Sequence, residues 1–290
     1  MSDGDQRVGA DGIFPTFRDP DAQASFEHDG IVVLPLLSPA AATALRLELL
    51  ALLPEDPGPF FELFRGNPPP LRRRIDALVR ARLGPAVNEL LVDHEFWAAA
   101  MLVKAPGDDG GIDLHEDWNL VDERYFRSGI AWVALHDTDQ VNGGMCVVPG
   151  TNRISRPPRY RDRSTALHVP ELRPELDRRT VPVDVPIGHV AFWDNRVLHG
   201  SAPNCSDDIR VNATLAFKPR QARLYHYRYM ADGRPHRFEI DHDFMMEYDP
   251  FRPGYDMGGP HVHADEIVED PPFALSVEDL AVLDEHMPVR

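Results

Sequence analysis

Residues 186–217 read PIGHVAFWDNRVLHGSAPNCSDDIRVNATLAF, and this stretch decides the fold. The Pro-Ile-Gly triplet at its start predicts a tight turn, and the apolar run after it predicts a buried strand over 189–193. Two more short strands are expected over 196–200 and 209–217. Short strands in close succession, separated by turn residues, favour an antiparallel β-architecture.

The same pattern continues upstream of this stretch as far as Met101, with a period-two alternation from Thr180 to Val185. The other predicted strands are 99–104, 112–118, 129–136 and 144–148. Before them the chain reads as helical. Ser38 and Pro39 form a good helix start, and a second helical region runs over 71–91. Helices followed by many strands predict a mainly β, α+β fold with a cupin-like jelly-roll core and flanking helices.

The chain of 290 residues is long enough for one large domain. We expect residues 1–15 to form a flexible tail and residues 16–290 to form a single domain. Within that domain the β-core is expected over about 98–220. A C-terminal extension over 221–290 is expected to contain a hairpin that turns at Asp232-Gly233.

Composition restricts the partners of the chain. The formal net charge is −17, with 30 Lys and Arg against 47 Asp and Glu, so the basic footprint needed for nucleic acid or an anionic membrane is missing. A polar start without an apolar segment predicts no signal peptide, and no apolar run is long enough to predict a transmembrane helix. Two cysteines, Cys146 and Cys205, make no disulfide framework. These features predict a cytoplasmic protein that acts on a small molecule. They do not predict its oligomeric state.

The segments LHEDWNL and RVLHGSAPN contain candidate metal ligands. His115 and Asp117 are two residues apart, so on a strand both side chains project to the same side while Glu116 points away. His199 lies near a predicted strand end. Two imidazoles and one carboxylate leave three open positions on a metal, as non-haem Fe(II) oxygenases require. Alone, such a His-x-Asp pair also arises by chance.

A basic side chain in the next predicted strand strengthens this interpretation. Arg210, Asn212 and Thr214 share one face of that strand, and apolar residues share the other. A guanidinium on the polar face suits bidentate binding of a carboxylate. The alternative is a structural ion pair with Asp207 or Asp208.

Taken together, these segments resemble the phytanoyl-CoA dioxygenase family of 2-oxoglutarate-dependent oxygenases. The matching pieces follow the family's order over roughly residues 24–219. They are FEHDGIVVLPLLSP, LVKAPG followed by LHEDW, WVALHDTDQVNGGMCVVPGTNR, and the stretch quoted first.

The resemblance implies a double-stranded β-helix core that uses Fe(II), 2-oxoglutarate and O2. The implied iron ligands, which are also the implied catalytic residues, are His115, Asp117 and His199. Arg210 is implied to hold the distal carboxylate of 2-oxoglutarate, with Trp132 and Lys104 bordering this co-substrate. The implied reaction is hydroxylation of an unactivated C–H bond of a small-molecule metabolite, in secondary-metabolite biosynthesis, with release of succinate and CO2.

Several alternatives stay open. The retained Asp117 favours hydroxylation over halogenation, because halogenating relatives carry Ala or Gly there. A desaturase, cyclase or epimerase would share the same ligands, and a non-catalytic jelly-roll binding protein could retain the metal. Substrate specificity is expected in the segments 54–72, 118–128, 153–180 and 221–260.

Other charged or reactive residues are interpreted as structural. The Arg72–Arg74 run is expected to be a solvated helix face. His136 is expected to have a turn or capping role, and His242 to lie in a solvated acidic loop. The segment HVHADE at 261–266 only superficially resembles a zinc motif, because it ends in Glu. Cys146 is expected to be a buried, inert thiol.

Overall fold

The computed structural model describes residues 13–154, 159, 170–248, 257–269 and 275–283. The α-helices in these parts of the chain are α1 (Pro20–Asp29), α2 (Pro39–Leu50), α3 (Pro69–Leu90), α4 (Arg173–Arg179) and α5 (His242–Glu247). The strands are β1 (Ile31–Pro35), β2 (Phe60–Glu62), β3 (His94–Lys104), β4 (Ile112–His115), β5 (Gly129–Ala134), β6 (Met145–Val148), β7 (Val181–Val183), β8 (His189–Asp194), β9 (Leu198–Ser201), β10 (Arg210–Pro219), β11 (Tyr225–Tyr229), β12 (Pro235–Ile240) and β13 (Val262–Ile267).

The strands form three antiparallel sheets. A six-stranded sheet has the order β1-β8-β5-β10-β3-β2, and a four-stranded sheet has the order β4-β9-β6-β7. The third sheet, β11-β12-β13, contains the predicted hairpin, with Gly233 in a left-handed conformation at its turn. The prediction of a mainly β double-stranded β-helix with flanking helices is confirmed.

The six-stranded sheet has two different faces because its side chains alternate. On β10, the residues Val211, Ala213, Leu215 and Phe217 all join the larger apolar core, which packs the sheet against α1, α2 and α3. The opposite face of β5 and β8 carries Trp132 and Trp193, which pack with Met145 and Val147 of the smaller sheet. Arg210 therefore lies on the face that looks toward the smaller sheet.

The helix starts follow the sequence signals. Ser38 caps α2 by accepting a hydrogen bond from the amide of Ala41, and Pro39 occupies the first turn as predicted. Asp19 caps α1, which ends at Gly30 in the left-handed conformation. A Cβ at Gly30 would lie 2.8 Å from the side-chain oxygen of Asn152, so only glycine fits this position. Strand β1 begins directly after it, as the sequence predicts.

The prediction of a solvated arginine run holds for Arg73 and Arg74, which are exposed, but it is wrong for Arg72, and the prediction for His242 is also wrong. Arg72 is only 2% exposed, because its guanidinium donates to the carbonyls of Phe64, Asn67 and Tyr248 and so joins α3 to two loops. A run of arginines on a helix gave no sign that one of them faces inward. His242 is half-buried at the start of α5, rather than in a solvated loop.

His242 belongs to a polar network that fastens α5 and β3 to α3. Its ring lies 3.5 Å from the carboxylate of Asp76, which also accepts hydrogen bonds from Arg80 at 2.7 Å and from the amide of Ala99 at 2.7 Å. Burial alone would raise the pKa of Asp76, but the hydrogen bonds from His242 and Arg80 lower it overall. The carboxylate is therefore charged and fully partnered.

The remaining structural predictions have mixed outcomes. The Cys146 thiol is half-buried, and burial raises its pKa, which fits the expected low reactivity. Phe14, near the end of the predicted tail, is buried, and its amide bonds to the carbonyl of Tyr125; residues 1–12 lie outside the described part of the chain. No helix in the described ranges has the length and apolar character needed to cross a bilayer.

Replacing Asp76 with alanine should lower the free energy of unfolding by about 3 kcal/mol, because a buried charge pair is broken and the Ala99 amide loses its acceptor. Urea denaturation followed by circular dichroism measures this. The control is Asp243→Ala, which removes an exposed ion pair with Arg73 and should cost less than about 1 kcal/mol. Equal losses in the two variants would contradict the structural role of Asp76.

Candidate metal centre

The described residues contain one group of three metal-ligating side chains whose donor atoms all lie close together. His115, Asp117 and His199 each offer an atom, and these atoms lie within 4.8 Å of one another. The cause is strand pairing, since His115 of β4 is the direct antiparallel partner of His199 of β9. Their ring centroids are 4.3 Å apart. Glu116, between the two residues of the motif, is not part of this group.

Each imidazole is held by a backbone carbonyl. The Nδ1 atom of His115 is 2.9 Å from the carbonyl oxygen of Asp113, and the Nδ1 atom of His199 is 3.0 Å from that of Val197. A carbonyl accepts only from a protonated nitrogen, so each Nε2 atom carries a free lone pair. Burial and the neighbouring His115 lower the pKa of His199 to about 4, which keeps that ring in the neutral form that binds metals.

Asp117 is fixed at both its side chain and its backbone. Trp193 on β8 donates from its indole nitrogen to Oδ2 of Asp117 at 2.9 Å. Arg159, which is buried, donates to the Asp117 carbonyl at 2.7 Å and is itself held by the two carboxylate oxygens of Glu123 at 2.9 and 2.6 Å. The same oxygen, Oδ2, lies 3.9 Å from Nε2 of His199, within the group of three.

The predicted strand over 112–118 is too long. β4 ends at His115, because the carbonyl of Asp117 bonds to Arg159 instead of a neighbouring strand. Asp117 therefore reaches the centre from a loop that is held by side chains. Neither Trp193 nor Arg159 was identified from the sequence. The alternation of β8 places Trp193 on the same face as Trp132 and could have indicated it, but nothing in the sequence singles out Arg159.

Arg210 is buried, and within the described part of the chain it has no acidic partner. It is 2% exposed, its guanidinium carbon is 5.5 Å from the ring centroid of Trp132, and it donates to the carbonyl of Gly143. Within the described ranges no carboxylate lies at ion-pair distance, so the alternative pairing with Asp207 or Asp208 is not found. Its Nε atom has no hydrogen-bond partner there either. Burial lowers the pKa of Arg210 to about 9.

Lys104 is the partner of Arg210 across β3 and β10. Its buried ammonium donates to the hydroxyl of Ser201 at 2.7 Å and to the carbonyl of Ala202. Burial and the nearby Arg210 lower its pKa to about 7. These contacts connect the two sheets, and a contact between Lys104 and a co-substrate stays a prediction.

A cavity of about 870 Å³ contains the group of three and Arg210. Its size is that of a small-molecule site. All four tryptophans of the chain line it, namely Trp97, Trp118, Trp132 and Trp193. Glu62 at the end of β2 also lines it, and burial raises the pKa of this carboxyl, an effect that nearby Asp117 reinforces.

Other histidines from the sequence have different surroundings. The Nε2 atom of His136 accepts from the amide of Val211 at 3.2 Å, which fits the predicted structural role. His261 and His263 both contact the carboxylate of Asp241, at 3.2 and 3.1 Å.

Comparison with known sequences identifies the family to which the chain belongs. The sequence model of the phytanoyl-CoA dioxygenase (PhyH) family matches residues 26–212. The ectoine dioxygenase of Halomonas elongata is 27% identical over 245 residues, which are 74% of this chain and 74% of that protein.

Solved structures confirm the fold. HygX from Streptomyces hygroscopicus, with nickel, 2-oxoglutarate and hygromycin B bound, aligns with a TM-score of 0.51 at 20% identity, covering 74% of this chain and 94% of that one. SnoK, a non-heme alpha-ketoglutarate-dependent carbocyclase from nogalamycin biosynthesis, aligns with a TM-score of 0.50 at 21% identity, covering 72% and 88%. The chain belongs to the phytanoyl-CoA dioxygenase family, and the prediction of an iron- and 2-oxoglutarate-dependent dioxygenase is confirmed.

Proposed function

We propose that the protein hydroxylates a C–H bond of a small-molecule metabolite, with Fe(II) held by His115, Asp117 and His199 and 2-oxoglutarate held by Arg210. The observation that carries this proposal is a single cavity with two complementary features. It contains three converging donor atoms and a buried guanidinium that has no carboxylate partner among the described residues.

The donor set fits iron. Two imidazoles present their Nε2 atoms, because their Nδ1 atoms lie against the carbonyls of Asp113 and Val197, and Asp117 adds a carboxylate that Trp193 holds in place. This 2-His-1-carboxylate combination suits Fe(II) and leaves positions open. When bound, iron and 2-oxoglutarate supply the activation of O2 and the C–H oxidation, with release of succinate and CO2.

Arg210 fits the distal carboxylate of the co-substrate. A buried guanidinium without a counter-charge is costly, and a bidentate carboxylate would satisfy it. The carbonyl of Gly143 and the ring of Trp132 hold the guanidinium in place. Trp132 and, on the other side, Lys104 would border the bound co-substrate.

A cavity of about 870 Å³ accommodates both a co-substrate and a metabolite. Structural relatives that bind hygromycin B or act in nogalamycin biosynthesis support a role in secondary-metabolite biosynthesis.

We also propose that residues 16–290 form one oxygenase domain. The support is an apolar cluster that β12 and α5 share with the core strand β3, through Phe238, Phe244 and Trp97. The C-terminal extension thereby reaches the same cavity, which Met245 of α5 lines.

Replacing His115 or Asp117 with alanine should abolish stoichiometric Fe(II) binding, since the remaining two donors cannot hold the ion in this geometry. Calorimetric titration under anaerobic conditions measures this. Succinate release across a metabolite library measures turnover, which should also be lost. His263→Ala, which removes an exposed histidine elsewhere, is the control. Unchanged iron binding in either ligand variant would refute the assignment.

Replacing Trp193 with phenylalanine should weaken metal affinity about 10- to 100-fold, because Asp117 loses the donor that orients it. Phenylalanine keeps the aromatic packing of the cavity wall. The same titration tests this, and an unchanged affinity would show that the indole hydrogen bond does not orient the ligand.

Replacing Arg210 with alanine should weaken 2-oxoglutarate binding by about 2–4 kcal/mol, since a buried carboxylate would lose its charged partner. Arg210→Lys should bind 2-oxoglutarate with intermediate affinity, because lysine keeps the positive charge but cannot donate two parallel hydrogen bonds to a carboxylate. Calorimetry with Mn(II) in place of iron measures both. The control is Arg82→Ala at an exposed ion pair. A 2-oxoglutarate affinity unchanged by Arg210→Ala would contradict the role.

A further inference from the structure

We propose that Glu62 recognises a positively charged nitrogen of the substrate, so that the enzyme oxidises a compound that carries an amine or a quaternary ammonium group. This inference rests on the proposed function, because it assigns a substrate class to the same cavity.

The first observation is the way in which β2 and its flanking residues present their side chains. Phe61 and Leu63 are buried in the main core, at 4% and 0% exposure. Phe60 and Glu62 lie on the other face of β2 and line the cavity, as does Phe64 in the turn that follows. Phe60 and Phe64 each lie beside a cation of the chain, Lys104 and Arg72, at 6.0 Å from the ring centroid, so Glu62 adds charge attraction to a part of the cavity wall where aromatic rings already face cations.

The second observation is that the Glu62 carboxyl has no partner. No described residue donates a hydrogen bond to its side chain, and none lies within ion-pair distance of it. Desolvation by burial is the largest influence on its pKa, which is raised even though the charge of Arg65 opposes this effect. A carboxylate that is partly withdrawn from water without a hydrogen-bond donor is less stable than one in bulk water. A ligand that brings its own positive charge would offset that cost.

The third observation is the charge balance of the cavity wall. Its acidic residues are Glu62, Asp109, Asp113, Glu116 and Asp117, and its basic residues are Arg65 and Arg210. The proposed function assigns Asp117 to iron and Arg210 to 2-oxoglutarate. Of the acids that remain, Asp109 and Asp113 are exposed and Glu116 has an interaction of its own, which leaves Glu62 as the partly buried acid able to attract a cation.

Glu62 is also close enough to His115 and Asp117 for their charges to act on its carboxyl. It is not part of the group of three ligand atoms. Since Glu62 lines the same cavity as the three candidate ligands without belonging to their group, we place the substrate cation beside the proposed metal site. A nitrogen bound at Glu62 would present neighbouring C–H bonds to the reactive centre.

The experiment measures intrinsic tryptophan fluorescence. All four tryptophans line the cavity, so their emission should change when a ligand binds there. The full-length chain is titrated with choline and with 3,3-dimethylbutan-1-ol, a neutral compound of nearly the same shape. Each titration is run with and without Mn(II) and 2-oxoglutarate. The variants are Glu62→Gln, which removes the charge but keeps the shape, and Glu89→Gln, which removes an exposed charge on α3 as the control.

Choline should bind the unmodified chain at least about tenfold more tightly than the neutral compound, and Glu62→Gln should remove about tenfold of that affinity. Glu89→Gln should bind choline normally. Equal affinity for the two probes, no saturable response to choline, or an unchanged choline affinity in Glu62→Gln would each overturn the proposal.

The comparison of the two probes on the unmodified chain does not depend on the folding of a variant. Failure of the proposed function would instead show as absent binding of Fe(II) or 2-oxoglutarate, which the calorimetric titrations measure separately.

Discussion

The pairing of β4 with β9 is the constraint on which the candidate centre depends. Antiparallel register places His115 opposite His199, and two backbone carbonyls turn both rings so that their Nε2 atoms converge. A shift of β4 by one residue would move the His115 imidazole to the opposite face of the sheet, away from His199. The third donor, Asp117, lies beyond the strand and needs its own supports, which Trp193 and the Arg159–Glu123 pair provide.

The cavity contains charged groups of both signs that have no partner of opposite charge among the described residues. Among the described residues, Arg210 has no acidic partner, its Nε atom has no acceptor, and no residue donates a hydrogen bond to the carboxyl of Glu62, which lines the same cavity. Such groups destabilise a folded chain unless a ligand completes them. We interpret the guanidinium as the place of the co-substrate and the carboxyl as the place of a substrate cation. Both are held on strands of the rigid six-stranded sheet, which positions them before any ligand arrives.

Much of the fold and part of the site could be predicted from the sequence. The turn at 186–188, the alternation along β10 and the capping signal at Ser38 are local, so each predicts its element. The His-x-Asp pair and the distal histidine are visible because their side-chain chemistry is unusual. Long-range contacts carry no such signal. The inward-facing Arg72, the Arg159 bond to the Asp117 carbonyl and the contact of His242 with Asp76 depend on tertiary packing. Glu62 could have been identified from the sequence, because it is the one charged residue in the apolar run FFELF at 60–64.

A crystal structure of the chain loaded anaerobically with Fe(II) and 2-oxoglutarate, with an anomalous map at the iron edge, tests the central claim most directly. The account predicts one iron peak bonded to the Nε2 atoms of His115 and His199 and to an oxygen of Asp117, with the distal co-substrate carboxylate on Arg210. An iron peak elsewhere, for example beside Asp241 with His261 and His263, or a co-substrate bound away from Arg210, would contradict it.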